Sequence, residues 1–597
     1  MKRSKNNRTA LGPDVRKLWD YRDLPIGITA IGFEYDMPKT GAWRSIRPVG
    51  HEKLAPCREA CPAGIDIRGF IEKVRLKKFS EAYDLIQKEN PLSRICGRVC
   101  FHPCESACNR AELDGPLSVR HLERFVSDVS SHRKRRTLSV RKRRKEKVAI
   151  IGSGPAGLSG ADYLAQMGYK VHLFEALPKL GGLLRFGIPD YRLPKSVLDG
   201  EIRKILSLGV SYETGKRLGQ NLRFKDLESY DATFIGIGAW NDLKWDLPAE
   251  SGEAIFSGID FLRRVNSRNP PDLTGHTVII GGGNTAIDVA RSVNRLGGKP
   301  SVFYRRSRQE MPASPEEIIE AEDEGVVFRF LTSPVRVSRG RQSRLKLECI
   351  ENRLSTPRRG GRKTPVPIKG SNFFITADRV VYALGQRPEI SVLKDFLRID
   401  HGTKNIWVDD FFETSIPGVF AGGDAALHTR SVASAIGSAK KAAIAIDRYL
   451  NGQKDRNIFR GIGLGKKGAV SISGYLDGEQ ISSTAENEVV RYHDLNVEYF
   501  KTEDRIQSRL LSSRRRQVTF EEVNLGLTQK MALKEAERCF NCGSCSLCDN
   551  CYLYCPEVVV KRGDLHNEID LDFCKGCGIC ASECPVGFLQ MEPEVNE

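Results

Sequence analysis

One cysteine spacing occurs twice near the end of this chain and constrains it more than any other feature. Cys545, Cys548, Cys551 and Cys555, then Cys574, Cys577, Cys580 and Cys584, each follow C-x2-C-x2-C-x3-C-P. Three thiolates at that spacing wrap one corner of an iron–sulfur cubane, while the fourth reaches across to a second cubane. The pattern predicts one [4Fe-4S] centre on Cys545, Cys548, Cys551 and Cys584, and another on Cys574, Cys577, Cys580 and Cys555. Zinc sites do not require eight cysteines in this doubled arrangement. So short a cysteine-rich stretch cannot build a core without metal, so 539–597 is expected to be a bacterial-ferredoxin-like α+β domain.

The remaining cysteines are just as unevenly placed. Of 17, six lie at 57–108, ten at 539–584, and Cys349 stands alone. A length of 597 residues implies several domains, and 40% hydrophobic residues imply globular ones. No apolar run approaches the roughly 20 residues that span a bilayer. The basic start, MKRSKNNRTA, has no apolar stretch behind it, as a secretory signal would. These features predict a cytoplasmic protein with no membrane span, whose cysteines serve metal before disulfides.

The charge of +18 is also concentrated. Residues 131–147 hold ten Lys/Arg and one Glu, whereas 539–597 hold ten acids and three bases. With no recognition motif beside it, the basic run reads as a solvated linker or a docking surface for an acidic redox partner. A nucleic-acid arm or scaffold is the distant alternative.

Between the cysteine groups lie two dinucleotide-binding turns. Gly152-Ser153-Gly154-Pro155-Ala156-Gly157 follows an apolar strand and opens a helix. Its glycines allow a tight turn, approach of the backbone to a pyrophosphate, and close helix–strand packing. Glu175 ends the next strand, 18 residues beyond Gly157, where a carboxylate accepts from a ribose hydroxyl. The second turn, Gly281-Gly282-Gly283 leading to Ala286, is followed by a strand ending in Arg305 and Arg306 instead of an acid. Two guanidiniums suit a 2′-phosphate, which favours NADP(H) over NAD(H). A third strand ends at Gly423 and Asp424, the latter expected near an FAD ribityl–pyrophosphate. The set predicts an α/β flavoprotein of glutathione-reductase type, one Rossmann-like domain inserted in the other. Residues 109–538 contain only Cys349, so no redox disulfide serves this flavin, and the cysteine clusters are its outlet.

The expected organisation is an arm (1–56), a helical iron–sulfur domain (57–130), the basic linker (131–147), an FAD domain (148–260 and 386–452), an NAD(P) domain (261–385), a connector (453–538) and the ferredoxin head. In 66–90, Phe70, Val74, Phe79, Tyr83 and Ile86 recur at helical spacing.

From about 57 to 450 the chain resembles the glutamate synthase small-subunit family, which includes the N-terminal half of dihydropyrimidine dehydrogenase. The matching stretches are CPAGIDI, CGRVC…CESAC, GSGPAGL, GGLLRFGIPDYRLPK, GGGNTAIDVA, YRR…EMPAS and VFAGGDAA. The resemblance implies flavin contacts at Gly182, Leu183 and Arg192, and nicotinamide-nucleotide contacts at Asn284, Thr285, Leu384 and Gly385. It also implies two N-terminal [4Fe-4S] clusters. One would use Cys61, Cys100, Cys104 and a side chain at the family's Gln/Glu position, here Glu123, leaving Cys96 spare. The other would use Cys57, Cys108 and an upstream C-x2-C, which this chain lacks. ALKEAERCFNCG, with Cys539 and Cys542, resembles that missing segment; the pair either folds back to complete the cluster or stays unligated beside the head. The family implies an enzyme moving electrons between NAD(P)H and a protein partner, a ferredoxin or the catalytic subunit of a larger complex. Glutamate synthase itself is the alternative context.

Overall fold

The computed structural model describes residues 39–133, 143–243, 254–340, 344–356, 362–453 and 488–594. The arm before Lys39, most of the basic linker and the first part of the expected connector lie outside these residues.

The N-terminal domain is a packet of short helices. Asp66 caps Ile67–Arg75 by accepting the Gly69 N–H at 3.1 Å, and the helix buries Ile67, Phe70, Ile71 and Val74. The helical period of 66–90 is broken at Lys77, whose φ of 59° ends the helix, so Phe79–Glu89 forms a second one. Ser93–Val99 packs against Val119–Val129. That crossing is close because Gly97 has no side chain; a Cβ there would lie 2.6 Å from the Arg124 Cα.

Behind this packet stands a parallel five-stranded sheet in the order Val419–Ala421, Ala232–Ile235, Lys147–Ile151, Lys170–Glu175, Ser211–Thr214. Helices Pro155–Gln166 and Val432–Leu450 pack against each other beside it. The unbroken apolar run Val148–Ile151 is buried, as expected of a central strand with both sheet faces covered. The second parallel sheet runs Val327–Arg329, Lys299–Phe303, His276–Ile280, Arg379–Tyr382, Ile255–Ser257. An antiparallel sheet from Thr332–Arg339 to Phe373–Ala377 flanks it and buries Cys349. The inserted domain thus starts before residue 261, because Ile255–Ser257 pairs with Arg379–Tyr382.

The described parts of the expected arm and connector are built into the body. Ile46–Gly50 pairs antiparallel with Leu589–Pro593 of the head. Arg44 holds Glu594 through Nε and Nη2 at 2.6 and 2.7 Å and also donates to the carbonyls of Leu571 and Cys574. Thr40 Oγ1 donates to the Phe573 carbonyl at 2.6 Å. The final strand of the head therefore has a partner from the other end of the chain instead of an open edge. From the connector, Val489 bridges to Leu54, the Val490 carbonyl accepts from Asn109 Nδ2 at 3.1 Å, and Gln529–Glu537 packs on both Ile67–Arg75 and Val119–Val129. Among the described residues no helix is long and apolar enough to cross a membrane.

Arg44→Ala removes a two-bonded carboxylate contact and leaves two carbonyls without their donor. It should destabilise the head by about 1–3 kcal/mol. Chemical denaturation followed by loss of the iron–sulfur visible absorbance would show the head bleaching at lower denaturant while flavin release stays at the wild-type midpoint.

Candidate functional site

A cleft of about 790 Å³ lies between the two parallel sheets, lined by the first glycine turn and by Asn284 and Thr285 just after the second. Its size suits a large cofactor. At the first turn Gly152 has φ +98°, and a Cβ on Gly157 would lie 1.8 Å from the Gly152 carbonyl oxygen. Gly154 behaves differently: a Cβ there would meet no protein atom within 4 Å, because that position faces the cleft. Pro155 and Ala156 begin the helix beyond, directing its N-terminus into the same space.

Glu175 lies at the cleft wall and is buried. Its carboxylate accepts from the backbone N–H groups of Ser153 at 2.9 Å and Leu177 at 2.8 Å, and from the Ser153 hydroxyl. Gly182, Leu183, Gly423 and Asp424 line the cleft too. Burial pushes the Asp424 carboxyl up to about 6, against the pull of Arg430. A glycine-lined cradle, a helix N-terminus and a buried carboxylate fit the pyrophosphate and ribose of FAD.

Of the second turn, Asn284 and Thr285 face this cleft. Asn284 Oδ1 accepts from the Ser314 N–H at 3.1 Å, and Thr285 Oγ1 accepts from Gln386 Nε2 at 3.3 Å. Gly281 hydrogen-bonds to the Phe303 carbonyl and Gly282 lies against the Tyr304 ring, which places Arg305 and Arg306 just past the turn. Arg305 is exposed; Arg306 donates through Nε to the Lys363 carbonyl at 2.8 Å. Leu384 and Gly385 are exposed, while their neighbours Tyr382 and Gln386 line the cleft. Arg192 reaches the cleft, but its guanidinium pairs with Asp288 at 2.7 Å and Glu317 at 3.0 Å. It links the two nucleotide domains as well as facing the cofactor space.

Outside the glycine turns, the cleft wall also includes Trp240, Lys216, Val99 and Phe101. The last two flank Cys100 and bring the N-terminal domain to the cleft. Behind them lies a buried cavity lined by Cys61, Cys96, Cys100, Cys104 and Glu123. Burial pushes the Glu123 carboxyl up to about 8, opposed by a 2.8 Å hydrogen bond from Asn90. Cys96, expected to be spare, is on this wall because it precedes Cys100 by one helical turn at the end of Ser93–Val99.

A second cavity, sharing Ile67 and Val119 with the first, is lined by Cys57, Cys108, Cys539 and Cys542. In the head, Cys584 lies among Cys545, Cys548 and Cys551, and burial together with its nearby charge pushes each of those three thiols up. Cys574 has Cys555 and Cys577 as neighbours, and Cys580 has Cys574, Cys551 and Cys577. Among the described residues no three His, Cys, Asp or Glu side chains close around a single metal ion. The cysteines are instead spread around spaces, as a multi-atom cluster requires.

Residues 146–443 match the pyridine nucleotide-disulphide oxidoreductase family, 48–135 match dihydropyrimidine dehydrogenase domain II with its 4Fe-4S cluster, and 567–590 match a 4Fe-4S binding domain. The NADP(+)-dependent formate dehydrogenase subunit beta of Moorella thermoacetica is 40% identical over 425 residues, covering 66% of this chain and 60% of that protein. The NADPH-Fe(3+) oxidoreductase subunit beta of Geobacter sulfurreducens is 34% identical over 519 residues, covering 82% and 75%. The glutamate synthase [NADPH] small chain of Escherichia coli is 31% identical over 418 residues, covering 66% and 88%. The chain spans less than two thirds of the formate dehydrogenase subunit's length.

Two alanine substitutions separate packing from cofactor binding at the first turn. Gly157→Ala drives a methyl into the Gly152 carbonyl and should cost about 1–3 kcal/mol or more in any state of the protein. Gly154→Ala should leave the flavin-free protein's melting temperature unchanged yet purify without the 450 nm flavin band. Circular dichroism melts and visible spectra of the two variants check this.

Proposed function

The chain belongs to the pyridine nucleotide-disulphide oxidoreductase family, alongside the glutamate synthase small chain, and from that premise we propose that it is an electron-delivering subunit working between NADP(H) and a protein redox partner. FAD, when bound, exchanges a hydride with a nicotinamide and single electrons with iron–sulfur centres, so the cofactors carry the chemistry. The protein's part is to place them in sequence and exclude water between them.

The observation that carries this reading is the run of shared walls. Val99 and Phe101 line the flavin cleft and flank Cys100 of the first cavity. Val432 lines the cleft and Ala433 the cavity, so the start of one helix separates them. In this reading Cys61, Cys100, Cys104 and Glu123 hold the centre next to the flavin. Asn90 fixes the Glu123 carboxylate, and Cys96 shares the cavity wall with both. The eight motif cysteines of the head hold two more centres, divided as their spacing predicts.

The outlet we assign is the Cys574–Cys580 side of the head. Cys577 is the one exposed cysteine, and Leu553, Tyr554 and Val558 are exposed in the same small domain. An acidic head presenting apolar side chains suits a partner that docks transiently. Arg305 and Arg306, past the second turn, would take the 2′-phosphate of NADP(H).

Anaerobic titration should show NADPH bleaching the flavin band and then the broad iron–sulfur absorbance, with NADH far less effective. An absence of bleaching by either nucleotide would overturn the reading. Arg305→Ala with Arg306→Ala removes charge-assisted hydrogen bonds worth about 1.5–3 kcal/mol. It should raise the Kd for NADPH by about 10- to 100-fold and leave that for NADH within about twofold.

A further inference from the structure

We propose that Cys539 and Cys542 join Cys57 and Cys108 as the four ligands of a [4Fe-4S] centre, so that the C-terminal segment completes an iron–sulfur site of the N-terminal domain. The four cysteines line one buried cavity although 430 residues lie between Cys108 and Cys539. Apart from burial, the charges that act most strongly on Cys57 are those of Cys108, Cys539 and Cys542, which places all four thiols within one electrostatic environment.

The cavity is built for a group bearing sulfur. Asn109 donates through Nδ2 to the Cys542 sulfur at 3.6 Å, and the Asn541 backbone N–H points at Cys539. N–H donors of this kind stabilise thiolate ligands and raise a cluster's potential. Much of the remaining wall is apolar, with Ala55, Pro56, Ile71, Leu117 and Phe540, and Arg68 and Arg110 bring positive charge to it.

The segment carrying the pair is positioned without help from metal. Phe540 is gripped by the Arg110 guanidinium 4.7 Å above its ring and by Phe500 at 4.5 Å. Gly543 donates its N–H to the Val586 carbonyl and accepts from Lys53 N–H at 2.9 Å. Its φ of +82° and a hypothetical Cβ 2.5 Å from the Lys53 oxygen explain a glycine at this point. Cys545, the first cysteine of the head motif, follows two residues later. Such a centre would therefore stand between the cavity of Cys61 and the head, sharing Ile67 and Val119 with the former.

The site depends on the electron-transfer reading only for the expectation of iron, and iron counts test it without nucleotide. In the full chain, purified anaerobically, Cys539→Ser with Cys542→Ser should lose about four of about sixteen iron atoms while keeping its FAD. Cys57→Ser with Cys108→Ser should lose the same four, and the quadruple variant no more than either pair. The low-temperature EPR of the reduced protein should lose one and the same component in all three. Unchanged iron in the first pair, additive losses in the quadruple variant, or one zinc in place of the four irons would each overturn the proposal. If iron falls as described but NADPH leaves the flavin unbleached, the functional reading fails and the site stands. Should the serine variants not fold, alkylation of wild-type protein during iron chelation decides. The four cysteines should become labelled together, whereas labelling of Cys539 and Cys542 before chelation would overturn the assignment.

Discussion

Four buried charges hold the two ends of this chain in register. Arg110 pairs with Asp114, Asp114 with Arg538 at 2.9 Å, and Arg538 with Glu535 at 2.9 Å, two cations against two anions. Glu535 also accepts the N–H groups of Ser118 and Ile506, while Arg110 donates to the Arg538 carbonyl. Buried ion pairs add little net stability over well-packed apolar groups, but removing one partner costs about 3–5 kcal/mol. The network therefore acts as a register: it admits Gln529–Glu537 onto the N-terminal helices in one position. The placement of Cys539, two residues after that helix, follows from it, as does the position of the head beyond.

A second ionic knot fixes the nucleotide domains. Arg291 and Arg295 both hold Glu324, Arg291 also holds Glu317, and Glu317 meets Arg192 from the outer domain. Arg295 donates to the Thr519 carbonyl at 3.0 Å, so the stretch once expected to be a simple connector ties down the inserted domain as well. Cleft, cavities and head are thereby set at fixed separations. Fixed spacing is what a protein contributes when its cofactors supply the reactivity.

What could be read from the sequence was local. The glycine turns, the strands before them and the cysteine spacings are short patterns whose geometry is encoded within a few residues. The pairing of Ile46–Gly50 with Leu589–Pro593 has no such signal. IRPVG contains Pro and Gly and no alternation of polar and apolar residues, and its partner lies over 500 residues away. Likewise, Arg192 has no neighbour in sequence that announces Asp288 or Glu317. Three cysteines and Glu123 already fill the family's pattern, so nothing in that pattern points to Cys96, although its separation of four residues from Cys100 puts both on one side of a helix end. The early start of the inserted domain was hidden because Ile255–Ser257 is three residues long.

Because Gln529–Glu537 is encoded about 400 residues after the helices it packs on, synthesis itself imposes an order on assembly. A ribosome adding about 5–20 residues per second takes roughly 20–90 seconds to travel from Cys108 to Cys539. Throughout that interval the faces of Ile67–Arg75 and Val119–Val129 that receive Gln529–Glu537 are bare, while the flavin domain between them can already fold. Gln529–Glu537 can therefore close over those two helices only after the whole flavin domain has been made.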